Sequence, residues 1–161
     1  NGDLYEGYMG RWSRRVAREF IQWLAVPAGG GWLDVGCGTG ALSQTILQLA
    51  EPARVKGIDR SEGFVDFARG QVQNDRVQFE VADAEALTDD DGSFDAVVSG
   101  LVLNFTPNPA RAIAKMTRVT RSVTDATVSP GSPITRLMNS LREPSGASKT
   151  MTSPRPGDPN R

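Results

Sequence analysis

The order of elements readable along this chain predicts an α/β protein with a Rossmann-like, doubly wound, mostly parallel sheet and helices on both faces. Two observations carry that expectation. Short apolar strands alternate with segments of helical period, the pattern of parallel strands joined by crossover helices. The first strand also runs directly into a glycine-rich turn that opens a helix. The strands that would complete such a sheet on its C-terminal side are missing from the pattern.

Residues 11–24 open the series. Trp12, Val16, Phe20 and Leu24 recur every four positions with arginines between them, which predicts an amphipathic helix. The Pro27–Gly31 stretch ends it, and Trp32–Val35 forms a strand entering the glycine turn. Ala41–Ala50 carries Leu42, Ile46, Leu47 and Leu49 at helical spacing and stops before Pro52. Val55–Asp59 is a second strand, and Ser61 can cap a helix reaching about Gly70. Val77–Val81 alternates with a period of two, as a third strand should. After the polar Asp89–Ser93 turn, Phe94–Ser99 is an apolar fourth strand. Asn108 then caps a helix with Pro109 in its first turn, running through Ile113 and Met116 towards Val119.

Beyond Arg121 the character changes. The last aromatic residue is Phe105, and six of the ten prolines lie between Pro130 and Pro159. Such a composition buries too little apolar surface to offset the cost of ordering the backbone, so 122–161 is expected to be a disordered tail. Ile134–Leu141 could form a turn or two of helix. The chain therefore divides into a domain over 1–121 and a tail.

Composition excludes several functions. The net charge of -1 argues against a nucleic-acid or membrane binder, although it divides unevenly, with 12 Lys and Arg against 16 Asp and Glu over 1–120 and 6 against 3 over 121–161. A single cysteine, Cys37, rules out an internal disulfide and suits a reducing, cytoplasmic setting. With no histidine, the chain has no usual zinc site, no Ser-His-Asp triad and no Cys-His pair. No apolar run is long enough to span a membrane. The chain starts at Asn1 rather than Met, so residues are expected to be missing at the front.

Chemistry concentrates at strand ends. Gly36, Gly38 and Gly40 permit a sharp turn that brings backbone N–H groups towards a ligand at a helix start. Alone this turn is ambiguous, because Gly36–Ala41 also fits the dinucleotide pattern, and a tight turn without any ligand reads the same way. Asp34 lies inside an apolar strand, where a carboxylate is costly without a partner. That partner is a ligand ammonium, the N–H groups of the glycine loop, or both. Asp59 ends the second strand 19 residues after Gly40, where a carboxylate with both oxygens free accepts from the two hydroxyls of a ribose. Its alternative is a helix-start charge beside Ser61. Asp83 and Ala84 follow the third strand, placing a carboxylate and a backbone N–H where an adenine edge could pair. Glu85 reads as a helix-start charge, and Asp89–Asp91 as a solvated turn rather than a metal site.

Together, Trp32–Gly40, Gly57–Ser61, Ala82–Leu87 and Gly92–Asp95 resemble the successive motifs of small-molecule class I S-adenosylmethionine-dependent methyltransferases. The resemblance is nearest to the methyltransferase type 11, ubiquinone- and menaquinone-biosynthesis-like group, and Tyr8–Arg14 and Asn108–Ala112 share it. It implies that Asp34 and the backbone of Gly36, Cys37 and Gly38 hold the methionine end of S-adenosylmethionine. It implies that Asp59, with Arg60 alongside, holds the ribose, that Asp83 and Ala84 meet the adenine, and that Ser99 lines the cofactor cleft. Tyr8 and Trp12 would help cover the methionine end, or Trp12 packs in the core. The implied activity is methyl transfer to a small molecule. No catalytic residue and no metal is implied, since a sulfonium is already activated and alignment supplies most of the rate. A nucleotide-cofactor oxidoreductase and a non-catalytic cofactor-binding remnant are the alternatives.

In that family a Pro-Gly-Gly turn and a fifth strand follow the segment matching Arg118–Arg121, and here Ser122 follows instead. A frameshifted or truncated gene, leaving an out-of-frame tail and little or no activity, is the expectation this break suggests.

Overall fold

The computed structural model describes residues 11–100 and 102–121. Tyr8, the 122–161 tail and its Ile134–Leu141 segment lie outside the described residues, as does the environment of the Trp12 side chain. The elements run α1 (Arg11–Leu24), β1 (Gly31–Val35), α2 (Ala41–Leu49), β2 (Arg54–Asp59), α3 (Glu62–Gln71), β3 (Val77–Val81), β4 (Ala96–Val98) and α4 (Pro109–Val119). Short 3₁₀ turns at Ala84–Ala86 and Leu103–Phe105 follow β3 and β4.

Among the described residues the sheet has four strands in the order β3-β2-β1-β4, and every pairing is parallel. Alternate residues of β1 face opposite layers. On one face Trp32 packs with Ile21 of α1 and Ile46 of α2. On the other face Leu33 and Val35 pack with Phe94 and with Val119 of α4. Helices thus cover both faces, the doubly wound arrangement that the alternation of elements predicts. α3 contributes Val65 and Ala68 to a third cluster with Cys37 and Phe79. Gly57 is required there, because a Cβ on it would lie 2.5 Å from the Phe79 ring.

The expected caps are present. Ser61 accepts from the Phe64 N–H at the start of α3, and Asn108 accepts from the Arg111 N–H at the start of α4, with Pro109 as the first helical residue. The fourth strand is shorter than its apolar run, with only Ala96–Val98 regular. Phe94 instead bridges to Thr120 in parallel, and Arg121 N donates to the Phe94 carbonyl at 2.7 Å. The chain after α4 therefore meets the sheet beside the start of β4.

Candidate functional site

Winding reverses between β1 and β4. The crossover from β1 leads outward to β2 and β3, while β4 lies on the opposite side of β1. In open parallel sheets the crevice at the strands' carboxyl ends at this reversal is the default ligand site. A cavity of about 530 Å³ opens there. The loop after β1 supplies Gly36, Cys37, Gly38 and Thr39, the end of β2 supplies Asp59, and the segment after β4 supplies Ser99, Gly100, Val102 and Phe105. Helix α1 closes one side with Val16, Ala17 and Phe20.

Asp34 is fully buried in β1 and lines this cavity. Its Oδ2 accepts from the Ser43 hydroxyl at 2.7 Å, and the Ser43 backbone N–H also donates to the carboxylate. Asp34 therefore caps α2 from a neighbouring strand, where Gly40 has no side chain to do so. The other oxygen, Oδ1, is buried without a partner. Burial holds the carboxyl at about 6, against a pull downward from Ser43 and a further push upward from the Asp59 charge. A buried carboxylate with one satisfied and one unsatisfied oxygen has room for a cationic donor.

The glycine loop works differently from the expectation. Gly36 N and Cys37 N both donate to the Ile58 carbonyl, at 2.7 and 2.8 Å, and Gly40 N donates to the Cys37 carbonyl. Gly38 N donates to Asp59 Oδ2 at 3.0 Å. These N–H groups are spent tying the loop to β2, so the loop shapes the cavity rather than presenting those four donors to a ligand. The alternative that Asp34 accepts from the loop is likewise corrected, since its donors are the hydroxyl and N–H of Ser43. Gly36 has φ +75, and a Cβ on it would lie 2.4 Å from Val102, so backbone geometry and close packing both demand glycine there.

Asp59 does not have both oxygens free. Oδ2 takes Gly38 N, and Oδ1 takes Ser61 N at 2.9 Å. Each oxygen keeps a second lone pair, so two hydroxyl donors can still be accepted on a carboxylate now held rigid. Cys37 is buried, and burial, with the Asp34 and Asp59 charges next, pushes its thiol well above the ordinary range. It is no nucleophile. Ser99 Oγ is buried without a partner on the cavity wall.

Arg60, Asp83 and Ala84 do not line the cavity. They lie beyond it at the ends of β2 and β3, where Ala82 N donates to the Asp59 carbonyl. Asp83 Oδ1 caps the short turn by accepting from Glu85 N, and Oδ2 pairs with Arg60 at 3.8 Å. The structure thus joins Asp34, Gly36, Cys37, Gly38, Asp59 and Ser99 in one cavity and leaves the other three as an open shelf beside it. Ser43, Val102 and Phe105 escape sequence reasoning, since a helix serine and two loop hydrophobics carry no signal of a site.

The Methyltransferase domain family profile matches residues 33–123. The chain belongs to that family. A ubiquinone biosynthesis O-methyltransferase of Coxiella burnetii is 35% identical over 83 residues, covering 50% of this chain and 35% of that protein. An S-adenosylmethionine-dependent methyltransferase of Mesorhizobium loti superposes with a TM-score of 0.59 at 25% identity, over 64% of this chain and 47% of that one. The [4+2]-cyclase SpnF superposes with a TM-score of 0.62 at 29% identity, over 67% and 41%. The chain spans only about a quarter to a third of the length of the first curated relatives it matches. No described helix is long and apolar enough to cross a membrane.

Proposed function

We propose that this chain is the cofactor-binding part of an enzyme that moves a methyl group from S-adenosylmethionine to a small molecule. One observation carries the assignment: the buried, unpartnered Asp34 Oδ1 lies on the wall of the switch-point cavity of a methyltransferase-family chain. A cofactor with an ammonium at one end and a ribose further along fits such a donor set. Asp34 holds the ammonium, and Asp59 accepts the ribose hydroxyls on its remaining lone pairs. Asp83 and Ala84 offer an adenine a shelf steadied by the Arg60 ion pair. Cys37 and Gly38 form the floor, and Ser99 completes the wall. When bound, the cofactor supplies an activated methyl group, and the chain's own residues bind, orient and exclude water.

Nothing favours the oxidoreductase alternative. The cyclase shows that one fold carries more than one reaction, so the site rather than the fold bears the assignment. On this reading the domain ends near Arg121 and residues 122–161 are an out-of-frame tail, with turnover low and the protein cytoplasmic. Translating the encoding DNA in its other frames past codon 121 tests the tail, and finding no Pro-Gly-Gly strand there refutes it. Calorimetry with S-adenosylmethionine, S-adenosylhomocysteine and NAD tests the cofactor. Binding of the first two and not the third is expected. NAD binding alone overturns the assignment, and no binding at all favours the non-catalytic remnant.

A further inference from the structure

Five large apolar side chains stand exposed among the described residues: Val16, Trp23, Val81, Phe105 and Ile113. Three of them converge on one place. Val16 and Phe105 line the cavity, and Trp23 stacks on Phe20, which also lines it, with ring centroids 6.4 Å apart. Phe105 is 83% exposed, an unfavourable position for a phenyl ring unless something covers it. Because these lining residues are exposed, they form the rim, while Asp34 and Cys37 lie buried beneath them.

The charge of the lining narrows the occupant. Its titratable groups are Asp34, Cys37 and Asp59, it includes no lysine or arginine, and the chain has no histidine. Arg15 and Glu19, one of each sign, flank Val16, Phe20 and Trp23 on the outer groove of α1. An anionic molecule entering here meets two carboxylates with no cation on the wall to offset them. An uncharged ring meets Phe20, Val102 and Phe105 and buries the apolar surface they expose, with edge or offset contacts adding to that burial.

We infer that this rim is the acceptor subsite and that it takes an uncharged aromatic small molecule, gripped between α1 and the Leu103–Phe105 turn. The inference rests on the proposed methyl transfer, and its test separates the two. The full chain, loaded with S-adenosylhomocysteine, is titrated by calorimetry with three probes of similar shape: 2-naphthol, 2-naphthoate and the saturated alcohol 2-decalol. 2-Naphthol is expected to bind at least tenfold tighter than either of the others, and Phe105→Ala to weaken it at least fivefold, with Phe105→Tyr restoring most of the affinity. Equal or tighter binding of 2-naphthoate or 2-decalol overturns the inference, as does indifference to Phe105→Ala or no binding of any probe. Binding of S-adenosylhomocysteine without 2-naphthol refutes this inference alone. Failure to bind S-adenosylhomocysteine refutes the proposed function with it.

Discussion

Replacing Asp34 by asparagine exposes a conflict between stability and binding that the site builds in. The folded protein holds this carboxyl at about 6, against 3.8 in an unconstrained chain. At about 1.36 kcal/mol per pKa unit, keeping it ionised in the ligand-free fold costs about 3 kcal/mol. The sign follows from the direction of the shift. The folded state binds the proton more tightly than the unfolded state, so this group's favourable contribution is complete below pH ~4. It is lost as pH rises through about 6 and stays lost above that. Asparagine cannot ionise, and its carbonyl oxygen can still accept from Ser43. Its amide nitrogen inherits the unpartnered position, at a cost of about 1–3 kcal/mol that does not vary with pH. The stability difference between Asp34→Asn and the wild type should therefore swing by about 3 kcal/mol in the mutant's favour between pH 4 and pH 7.5. Urea unfolding of both proteins across that range, followed by tryptophan fluorescence, reads the swing directly. A difference that does not change with pH would refute the claim that Asp34 is a buried, strained charge.

Other consequences follow from the same geometry. Because a cation on Asp34 favours its ionised form, affinity for S-adenosylhomocysteine should fall roughly tenfold between pH 7.5 and pH 5, below the pKa of about 6; calorimetry at the two pH values checks this. Asp59→Ala removes the acceptor for Gly38 N and Ser61 N as well as the proposed ribose contact. Cofactor affinity should drop by about 1.5–3 kcal/mol, and an unchanged dissociation constant would exclude the role. Gly36→Ala forces a side chain into a left-handed backbone position against Val102. It should destabilise by about 2 kcal/mol or more, with Val102→Ala recovering part of the loss in the double mutant, as thermal unfolding would show.

The fold was legible because helices and strands announce themselves by period. Trp12, Val16, Phe20 and Leu24 mark α1, and Asn108 with Pro109 marks the start of α4. β4 was overextended, since the apolar run Phe94–Ser99 does not reveal that Phe94 pairs with Thr120 instead of extending the regular strand. At the site, acids at strand ends stood out because carboxylates beside apolar residues need a reason. The partners that decide their chemistry did not. Ser43 reaches Asp34 only because α2 folds back over β1, and the Ile58 carbonyl takes two loop N–H groups only because β2 lies beside the loop. Such contacts depend on packing between elements, which spacing along the chain does not encode. Phe105 stayed hidden for the same reason, as one aromatic in a loop until the cavity gathers it with Phe20.

The central claim is that Asp34 Oδ1 awaits an ammonium. Calorimetry at pH 7.5 with S-adenosylhomocysteine and its deaminated analogue, on wild type and Asp34→Asn, tests it most directly. The wild type should prefer the intact compound by tenfold or more, and the mutant should lose most of that preference. Equal affinity of the wild type for the two compounds would contradict the account.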